Sequence, residues 1–262
     1  MPIIDLTRTL DFGHGGSAGN LKKFKLGNYF YKTGRLSSRD FPNRYGIEPL
    51  IEVACCEIGR VFGFNTLEQT LHLAKLTGDM GEHISFVSQS PDYAYDREEV
   101  FYTDLKRNRL ALTWDSDLLD MLLLDFLVMN EDRHDRNVVF VDGKLVPIFD
   151  LGYSLAYDNV TKFTQDHTYH KPFANCNAPL YQNSFHGMEQ LLTQHADEIS
   201  QRLNRFCSLA LKQSLQAVQT HYNTLKGAAQ HTVIVDNQWF EQVHTFINWR
   251  VAHVRNLLHE ME

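Results

Sequence analysis

The chain has 262 residues, of which 43% are hydrophobic and 22% are charged, and its formal net charge is −7. This length and composition are typical of a globular protein with a substantial core. The negative charge gives no indication of a nucleic-acid partner, and Lys22, Lys23 and Lys25 are expected to form a short solvated strand face. The most apolar stretch, residues 118–129, is too short to cross a membrane.

The start of the chain and its cysteines indicate a reducing compartment. The first residues lack the basic and then apolar pattern of a secretory signal peptide. The four cysteines show no metal-ligand spacing, and the adjacent Cys55 and Cys56 are expected to pack in a helix as small apolar residues. We therefore expect a cytoplasmic protein.

The first 88 residues are predicted to form a small unit that mixes strands with one helix. A glycine-rich segment at residues 13–19 precedes the first alternating strand. Pro49 fits the first position of a helix, and Gly63 fits the position just past its end. The predicted strands of this part run over residues 21–26, 29–32, 71–76 and 83–87.

After residue 88 the chain is predicted to be mainly helical. Asp115 or Asp117 can cap an apolar helix. Apolar residues recur at helical spacing over residues 192–215, which predicts one amphipathic helix, and over residues 239–258, which predicts a final one. The fold class expected from these elements is α+β.

Residues 130–152 contain the most informative pattern of the chain. Asp132 stands five residues before Asn137, and Asp150 follows two apolar runs that an Asp-Gly turn at residues 142–143 joins. A hairpin of this kind brings Asp150 back beside Asn137. Protein kinases use the same Asp-x4-Asn spacing, with a metal-binding Asp one hairpin later. The alternative is a surface hairpin whose charges are solvated.

This pattern predicts the side chains that phosphoryl transfer from ATP requires. Asp132 is the candidate catalytic base, which orients and deprotonates the acceptor hydroxyl. Asn137 and Asp150 are the candidate Mg²⁺ ligands, because Mg²⁺ takes few protein oxygens and keeps waters and phosphates for the rest.

Three neighbouring side chains are expected to support this loop. Arg133 and His134 are predicted to brace it through hydrogen bonds, although His134 could instead face the phosphates of ATP. Asp125 lies in an apolar helix and must find a partner if it is buried. We expect it to accept backbone N–H groups of the loop.

The N-terminal unit contains candidates for binding the phosphates. A glycine-rich turn lets backbone N–H groups approach phosphate oxygens. Lys32, at the end of a strand, could hold the phosphates, and Glu52 on the next helix could hold that lysine, with Glu48 one turn away as its competitor. Each feature alone is common, but their order along the chain is that of a bilobal kinase. The phosphate-loop candidates are Gly15, Gly16, Ser17 and Ala18.

At these residues the chain resembles the HipA-like serine/threonine kinases, a bacterial branch of the protein-kinase-like fold that is distantly related to phosphoinositide 3- and 4-kinases. The carrying motifs are Leu124-Asp125-x4-Asn130-Glu131-Asp132-Arg133-His134-x2-Asn137, Pro147-Ile148-Phe149-Asp150-x-Gly152, and the segment at residues 45–52.

The resemblance implies a bilobal protein-kinase-like fold, with a small mixed N-lobe over residues 1–88 and a mainly helical C-lobe over residues 89–262. It implies Mg²⁺- and ATP-dependent phosphorylation of a protein serine or threonine. Ser17 matches the position where such kinases carry an autophosphorylated phosphate-loop serine. An antitoxin or another regulatory protein would be a partner.

Two other functions stay open at the level of sequence. The first is a small-molecule or lipid kinase, since the same fold and Asp-x4-Asn pattern occur there and the sequence names no acceptor. The second is a non-catalytic nucleotide-binding module. The complete set of Lys32, Asp132, Asn137 and Asp150 argues against the second.

Overall fold

The computed structural model describes residues 2–9, 22–36, 44–78, 81–93, 99–102, 115–155, 181 and 185–260. These residues form eight strands and six helices, so the protein mixes α and β structure as the sequence predicts. Within these ranges, no helix is long and apolar enough to cross a membrane.

Five strands form the larger sheet, in the order β1-β4-β5-β3-β2. They are β1 (Ile4–Asp5), β2 (Lys23–Leu26), β3 (Tyr29–Thr33), β4 (Thr70–Gly78) and β5 (Gly81–Pro91). The pairs are antiparallel except that β1 runs parallel to β4. The sequence did not indicate β1. The strands predicted at residues 71–76 and 83–87 correspond to β4 and β5, but both observed strands are longer, and β5 continues past residue 88.

Helix α1 (Glu48–Phe62) follows the large sheet's first three strands and has the predicted ends. Pro49 lies in its first turn, and Gly63 ends it in the left-handed region with φ 79°, which glycine adopts without a steric penalty. Cys55 and Cys56 are fully buried within it, as expected. Burial raises the pKa of both thiols, so they pack as small apolar groups.

Residues 230–233, from the C-terminal part of the chain, bind the segment that enters α1. Tyr45 N–H donates to the His231 carbonyl at 2.7 Å, and Val233 N–H donates to the Tyr45 carbonyl at 2.8 Å. Gln230 N–H donates to the Ile84 carbonyl of β5 at 2.7 Å. The segment that enters α1 is thereby bound to residues 231–233, and the neighbouring Gln230 binds β5.

The predicted hairpin is present and belongs to a second sheet of three strands. These are β6 (Glu99–Phe101), β7 (Val139–Val141) and β8 (Lys144–Leu145), in that order. Asp142 and Gly143 have φ values of 53° and 76°, which is the two-residue turn that an Asp-Gly pair favours. The sequence interpretation had no strand at residues 99–101, and this part of the mainly helical prediction was wrong.

The returning strand of the hairpin is shorter than the apolar run that predicted it. Val146 N–H still donates to the Val139 carbonyl at 2.9 Å, but Pro147 has no N–H with which to continue the ladder. Ile148 then pairs with Thr66 instead. The chain therefore leaves the hairpin just before Asp150 and is held by the segment that follows α1.

After residue 115, the described residues form five helices. They are α2 (Ser116–Val128), α3 (Phe185–Gln194), α4 (Ala196–Leu203), α5 (Ser208–Leu225) and α6 (Asn237–His259). Asp115 caps α2 by accepting from Leu118 N–H at 3.0 Å, as one of the two predicted candidates. The last helix was predicted correctly.

The single helix predicted over residues 192–215 is wrong, because three helices share that span. The chain breaks at His195 and again at residues 204–207, where Cys207 is extended. Leu192, Ile199 and Leu211 are nevertheless all fully buried. Apolar residues keep a helical spacing across the breaks because each of the three helices turns an apolar side toward the core. Periodicity alone therefore does not reveal where one helix ends and the next begins.

One hydrophobic cluster connects the two halves of the molecule. It includes side chains of α1, of β4 and β5, of the segment around the hairpin, and of helices α2 to α6. The elements that carry Glu52, Asp125 and Asp150 therefore share one core, whereas β2 and β3 pack with β4 and β5 in a separate cluster that contains Phe24 and Tyr31.

Candidate active site

Lys32 of β3 is the centre of a buried ion-pair cluster. Its Nζ lies 2.7 Å from Glu52 Oε1 on α1 and 2.6 Å from Asp150 Oδ1 beyond the hairpin. Burial disfavours the ammonium ion, but the two carboxylates outweigh that effect and raise the pKa of Lys32. Likewise, burial acts against an ionised Asp150, yet Lys32 and Lys23 hold its pKa well below the usual range.

Of the two glutamates that could hold this lysine, Glu52 is the one that does. Its second oxygen, Oε2, accepts from Ser88 Oγ of β5 at 2.7 Å. Glu48 turns away, and its Oε2 accepts from Arg35 N–H at 3.1 Å. Burial raises the pKa of Glu48 to about 7. Ser88 was missed from the sequence and becomes apparent only from its register opposite Lys32.

Lys23 is a second lysine in this cluster that the sequence interpretation left in solvent. It stands directly opposite Lys32 in the β2–β3 pair, and its Nζ lies 3.9 Å from Asp150 Oδ2. The Lys32 cation lowers the pKa of Lys23. Lys25, two residues on, pairs with Asp92 at 2.6 Å. The expected solvated strand face is therefore, at these two positions, a row of lysines that pair with carboxylates.

The expected partner of Asp125 is corrected by the structure. This fully buried side chain in α2 binds side-chain donors, not the backbone N–H groups that were expected. Arg133 contacts it with two nitrogens, at 2.7 and 2.8 Å, and Asn130 Nδ2 and Tyr181 Oη donate at 2.8 Å each. The carboxylate needs charged and neutral donors on all sides to be buried in this way. The sequence contained no signal for Tyr181.

Arg133 connects the two ends of the predicted site. Its Nη1 donates to the carbonyls of Asn137 and Phe149, each at 3.0 Å. The residue just before Asp150 is thereby fixed beside Asn137, as the hairpin argument requires. Asp150 itself has φ 58°, in the left-handed region that Asp tolerates better than most residues. Such backbone conformations persist where the surroundings enforce them, and they are frequent at functional sites.

The remaining loop residues have defined orientations. Asn137 Nδ2 donates to the Asp132 carbonyl at 3.0 Å. Asp132 is half-buried, and its N–H donates to Asn130 Oδ1 at 3.2 Å. His134 Nδ1 accepts from Arg136 N–H at 3.2 Å, which agrees with the bracing alternative for His134.

A cavity of about 220 Å³ lies between the large sheet and the hairpin, next to the ion-pair cluster. Lys23, Phe30 and Lys32 line it from the sheet, and Val139 and Phe149 line it from the hairpin side. Residues 90–93 around the end of β5, together with Leu67, Gln69, Glu99, Val146 and Pro147, form the rest of the wall. The cavity is therefore apolar over much of its wall and cationic where the two lysines enter it.

Two parts of the predicted site, the phosphate loop and the metal site, are not established by the structure. Gly15, Gly16, Ser17 and Ala18 lie outside the described residues. Among the residues that are described, no cluster of three or more His, Cys, Asp or Glu side chains could hold a metal. The predicted pair of Asn137 and Asp150 contains only one such side chain.

No family model and no curated protein sequence matches the chain, but solved structures do. The crystal structure of the Helicobacter pylori proinflammatory kinase CtkA has a TM-score of 0.60 at 16% identity, over 100% of both chains. HipA of the Shewanella oneidensis MR-1 toxin–antitoxin system, solved with HipB and operator DNA, has a TM-score of 0.50 at 12% identity. That match covers 96% of this chain and 70% of HipA. The chain has a HipA-like kinase fold.

The HipA-like kinase fold confirms the resemblance that the motifs indicated. Sequence identity at this level establishes the fold alone, because one fold can host several activities. The chemistry of this chain must therefore be argued from its own side chains.

Proposed function

We propose that the protein is an ATP-dependent kinase that transfers the γ-phosphate to a serine or threonine of a protein. The observation that carries this proposal is the contact of Lys32 with both Glu52 and Asp150, at 2.7 and 2.6 Å. A lysine held by a helix glutamate, beside an aspartate that follows the catalytic loop, is the arrangement that kinases use to hold ATP phosphates.

The lining of the cavity beside this cluster supports ATP as the ligand. Its apolar wall, which includes Phe30, Val139 and Phe149, suits a base. Lys23 and Lys32 enter the same cavity, and their charges suit the triphosphate. The phosphate loop at Gly15, Gly16, Ser17 and Ala18 would cover the phosphates with backbone N–H groups. Glu52 would hold Lys32 in place.

The donor set at Asn137 and Asp150 fits Mg²⁺. Asp150 has a carboxylate whose pKa is held low by Lys32 and Lys23, so it is ionised at neutral pH. Asn137 offers its amide oxygen because its nitrogen is bonded to the Asp132 carbonyl. One carboxylate and one amide oxygen are the kind of sparse oxygen set that Mg²⁺ accepts. A bound Mg²⁺ would neutralise charge on the phosphates.

Asp132 is the proposed catalytic base. It lies on the loop that Arg133 and Asn130 hold, and it would orient the acceptor hydroxyl and take its proton. His134 lies on the same loop and would brace it through the hydrogen bond that its Nδ1 accepts from Arg136 N–H. In this proposal it does not contact the phosphates.

The wider expectations belong to the same proposal. Residues 1–88 would form the N-lobe and residues 89–262 the C-lobe, in the cytoplasm of a bacterium. The acceptor would be a protein, including the chain itself at Ser17. Since the HipA neighbour was solved in complex with HipB, a regulatory protein partner is part of the proposal. No direct nucleic-acid or membrane contact is expected.

The test is transfer of radiolabelled phosphate from ATP. The purified protein is incubated with Mg²⁺ and ATP in the presence of proteins, nucleosides, aminoglycosides or phosphoinositides. The proposal expects label on protein, lost in Asp132→Asn. Label on a small molecule or a lipid would change the acceptor class, and ATP binding without any transfer would contradict a kinase. Intact mass of the wild type and of Ser17→Ala then shows whether the chain labels itself at Ser17.

A further inference from the structure

The cavity contains one buried polar side chain that the proposed mechanism does not use. Gln69 lies just before β4, lines the cavity and is only 4% exposed. Within the described part of the chain, its Oε1 is sealed from solvent and has no hydrogen-bond partner. A buried amide oxygen without a hydrogen-bond partner is destabilising, and such groups in native structures commonly have a functional reason.

The sheet register shows which part of the cavity Gln69 occupies. Thr70 pairs with Gln89 at the end of the β4–β5 ladder, so Gln69 and Ser90 are the next positions outward. Ser90 in turn pairs with Phe30 of β3, and all three line the cavity. Lys32 follows Phe30 by two residues, about 7 Å further along the strand. Gln69 therefore stands at the end of the cavity away from the phosphate-binding lysine.

We propose that Gln69 reads the nucleobase of the bound nucleotide, an inference that rests on the proposed function. A primary amide offers one acceptor and two donors. Adenine presents the complementary pair, its 6-amino donor beside a ring-nitrogen acceptor, and Gln is a recognised bidentate partner for this edge. Gln69 accepts from the 6-amino group with Oε1 and donates to the adjacent ring nitrogen with Nε2.

The rotation of the Gln69 amide that this contact requires costs little energy. The terminal amide torsion of glutamine is broad, so the amide can turn toward a ligand without leaving a rotamer well. The contact then satisfies an oxygen that is otherwise buried without a donor. Phe30 and Val139 line the same cavity with apolar surface, and apolar surroundings strengthen such a hydrogen bond.

The test compares two nucleotides that differ only in the 6-amino group. Binding of ATP and of purine riboside 5′-triphosphate, each with Mg²⁺, is measured by calorimetry for the wild type and for Gln69→Met. Methionine keeps the length and unbranched shape of glutamine and removes both hydrogen-bonding groups. The preference of the wild type for ATP should fall by about 10-fold in Gln69→Met, the scale of one hydrogen bond to the base.

Gln242 on α6 supplies a matched control. Its Oε1 is also buried without a partner among the described residues, but it does not line the cavity. Gln242→Met should leave the preference for ATP unchanged. Neither substitution should lower the melting temperature of the nucleotide-free protein, because each removes an amide oxygen that has no hydrogen-bond partner among the described residues.

The outcomes separate this inference from the proposed function. If the wild type binds ATP and its preference over the 6-hydrogen analogue is the same in Gln69→Met, Gln69 does not contact the base. A lower melting temperature together with an unchanged preference would assign Gln69 a structural role instead. If the wild type binds neither nucleotide, the proposed function itself fails.

Discussion

Lys32 and Asp150 are 118 positions apart in the chain, yet Lys32 Nζ and Asp150 Oδ1 lie 2.6 Å apart. Lys32 is placed by the β2–β3 hairpin, and Asp150 by the hairpin that follows the catalytic loop. The contact depends on β5, which pairs with β3 and packs into the main core, and on Arg133, which holds the residue before Asp150.

Replacing Lys32 should destabilise the protein even without nucleotide. Lys32→Met leaves two largely buried carboxylates, Glu52 and Asp150, without their cation. Breaking one side of a buried ion pair typically costs about 3–5 kcal/mol. Urea unfolding of Lys32→Met should show a loss of this order, whereas Lys25→Met, which breaks a more exposed pair with Asp92, should lose about 1 kcal/mol or less. Equal losses in the two variants would contradict the buried cluster.

Asp132→Asn should separate chemistry from nucleotide binding. The substitution keeps the shape of the side chain but removes the base. Affinity for Mg²⁺·ATP is expected to change little, while turnover falls by roughly 10²-fold or more. Calorimetry measures the affinity, and single-turnover transfer of labelled phosphate from ATP to protein measures the chemical step. Full turnover in this variant would show that another residue is the base, and Asp135 would be the next candidate.

Arg133→Lys should damage the fold of the catalytic loop. Lysine cannot reproduce the two-nitrogen contact with Asp125 or reach both carbonyls that Arg133 binds. Because Arg133 and Asp125 are fully buried, a loss of about 3–5 kcal/mol is expected. The exposed Arg136 on the same loop is the control, and Arg136→Lys should be nearly neutral. Thermal unfolding that does not distinguish the two variants would count against this role.

Glu48 should make stability depend on pH. Its folded pKa is raised to about 7 by burial, from an ordinary value of 4.5. The folded state therefore binds a proton that the unfolded state has released, and stability falls as pH rises from about 4.5 through 7. Glu48→Gln removes this dependence and should become more stable than the wild type by on the order of 1–3 kcal/mol at pH 8, but not at pH 4.

The control for that profile is Glu68→Gln, since Glu68 is exposed. Its urea midpoint should follow that of the wild type at every pH. A constant offset between Glu48→Gln and the wild type across the whole range would show that Glu48 is not protonated in the fold.

Local signals in the sequence were sufficient for several elements. The Asp142-Gly143 turn, the Asp115 cap and the Gly63 helix end all follow from the conformations that these residues favour, and all are present. The pairing of Lys32 with Glu52 was also among the alternatives, because both lie on strongly patterned elements. Turns and helix ends that are set by the preferences of a few neighbouring residues could therefore be predicted.

Features that depend on distant contacts could not be predicted. Tyr181 binds Asp125 across 56 positions, and no short-range pattern marks a tyrosine for that purpose. Strand β6 is short and is stabilised by pairing with β7. The position of Gln69 in the cavity wall follows from the β4–β5 register, which the sequence does not specify. In each case tertiary packing, not local preference, decides the outcome.

The most direct test of the central claim is calorimetric titration of Mg²⁺·ATP into the wild type, Lys32→Ala and Asp150→Ala. Asp142→Asn, in the hairpin turn and outside the site, is the matched control. The account expects one nucleotide per chain for the wild type and the control, with affinity lowered in Lys32→Ala and no longer enhanced by Mg²⁺ in Asp150→Ala. Unchanged Mg²⁺·ATP affinity in both site variants would contradict it.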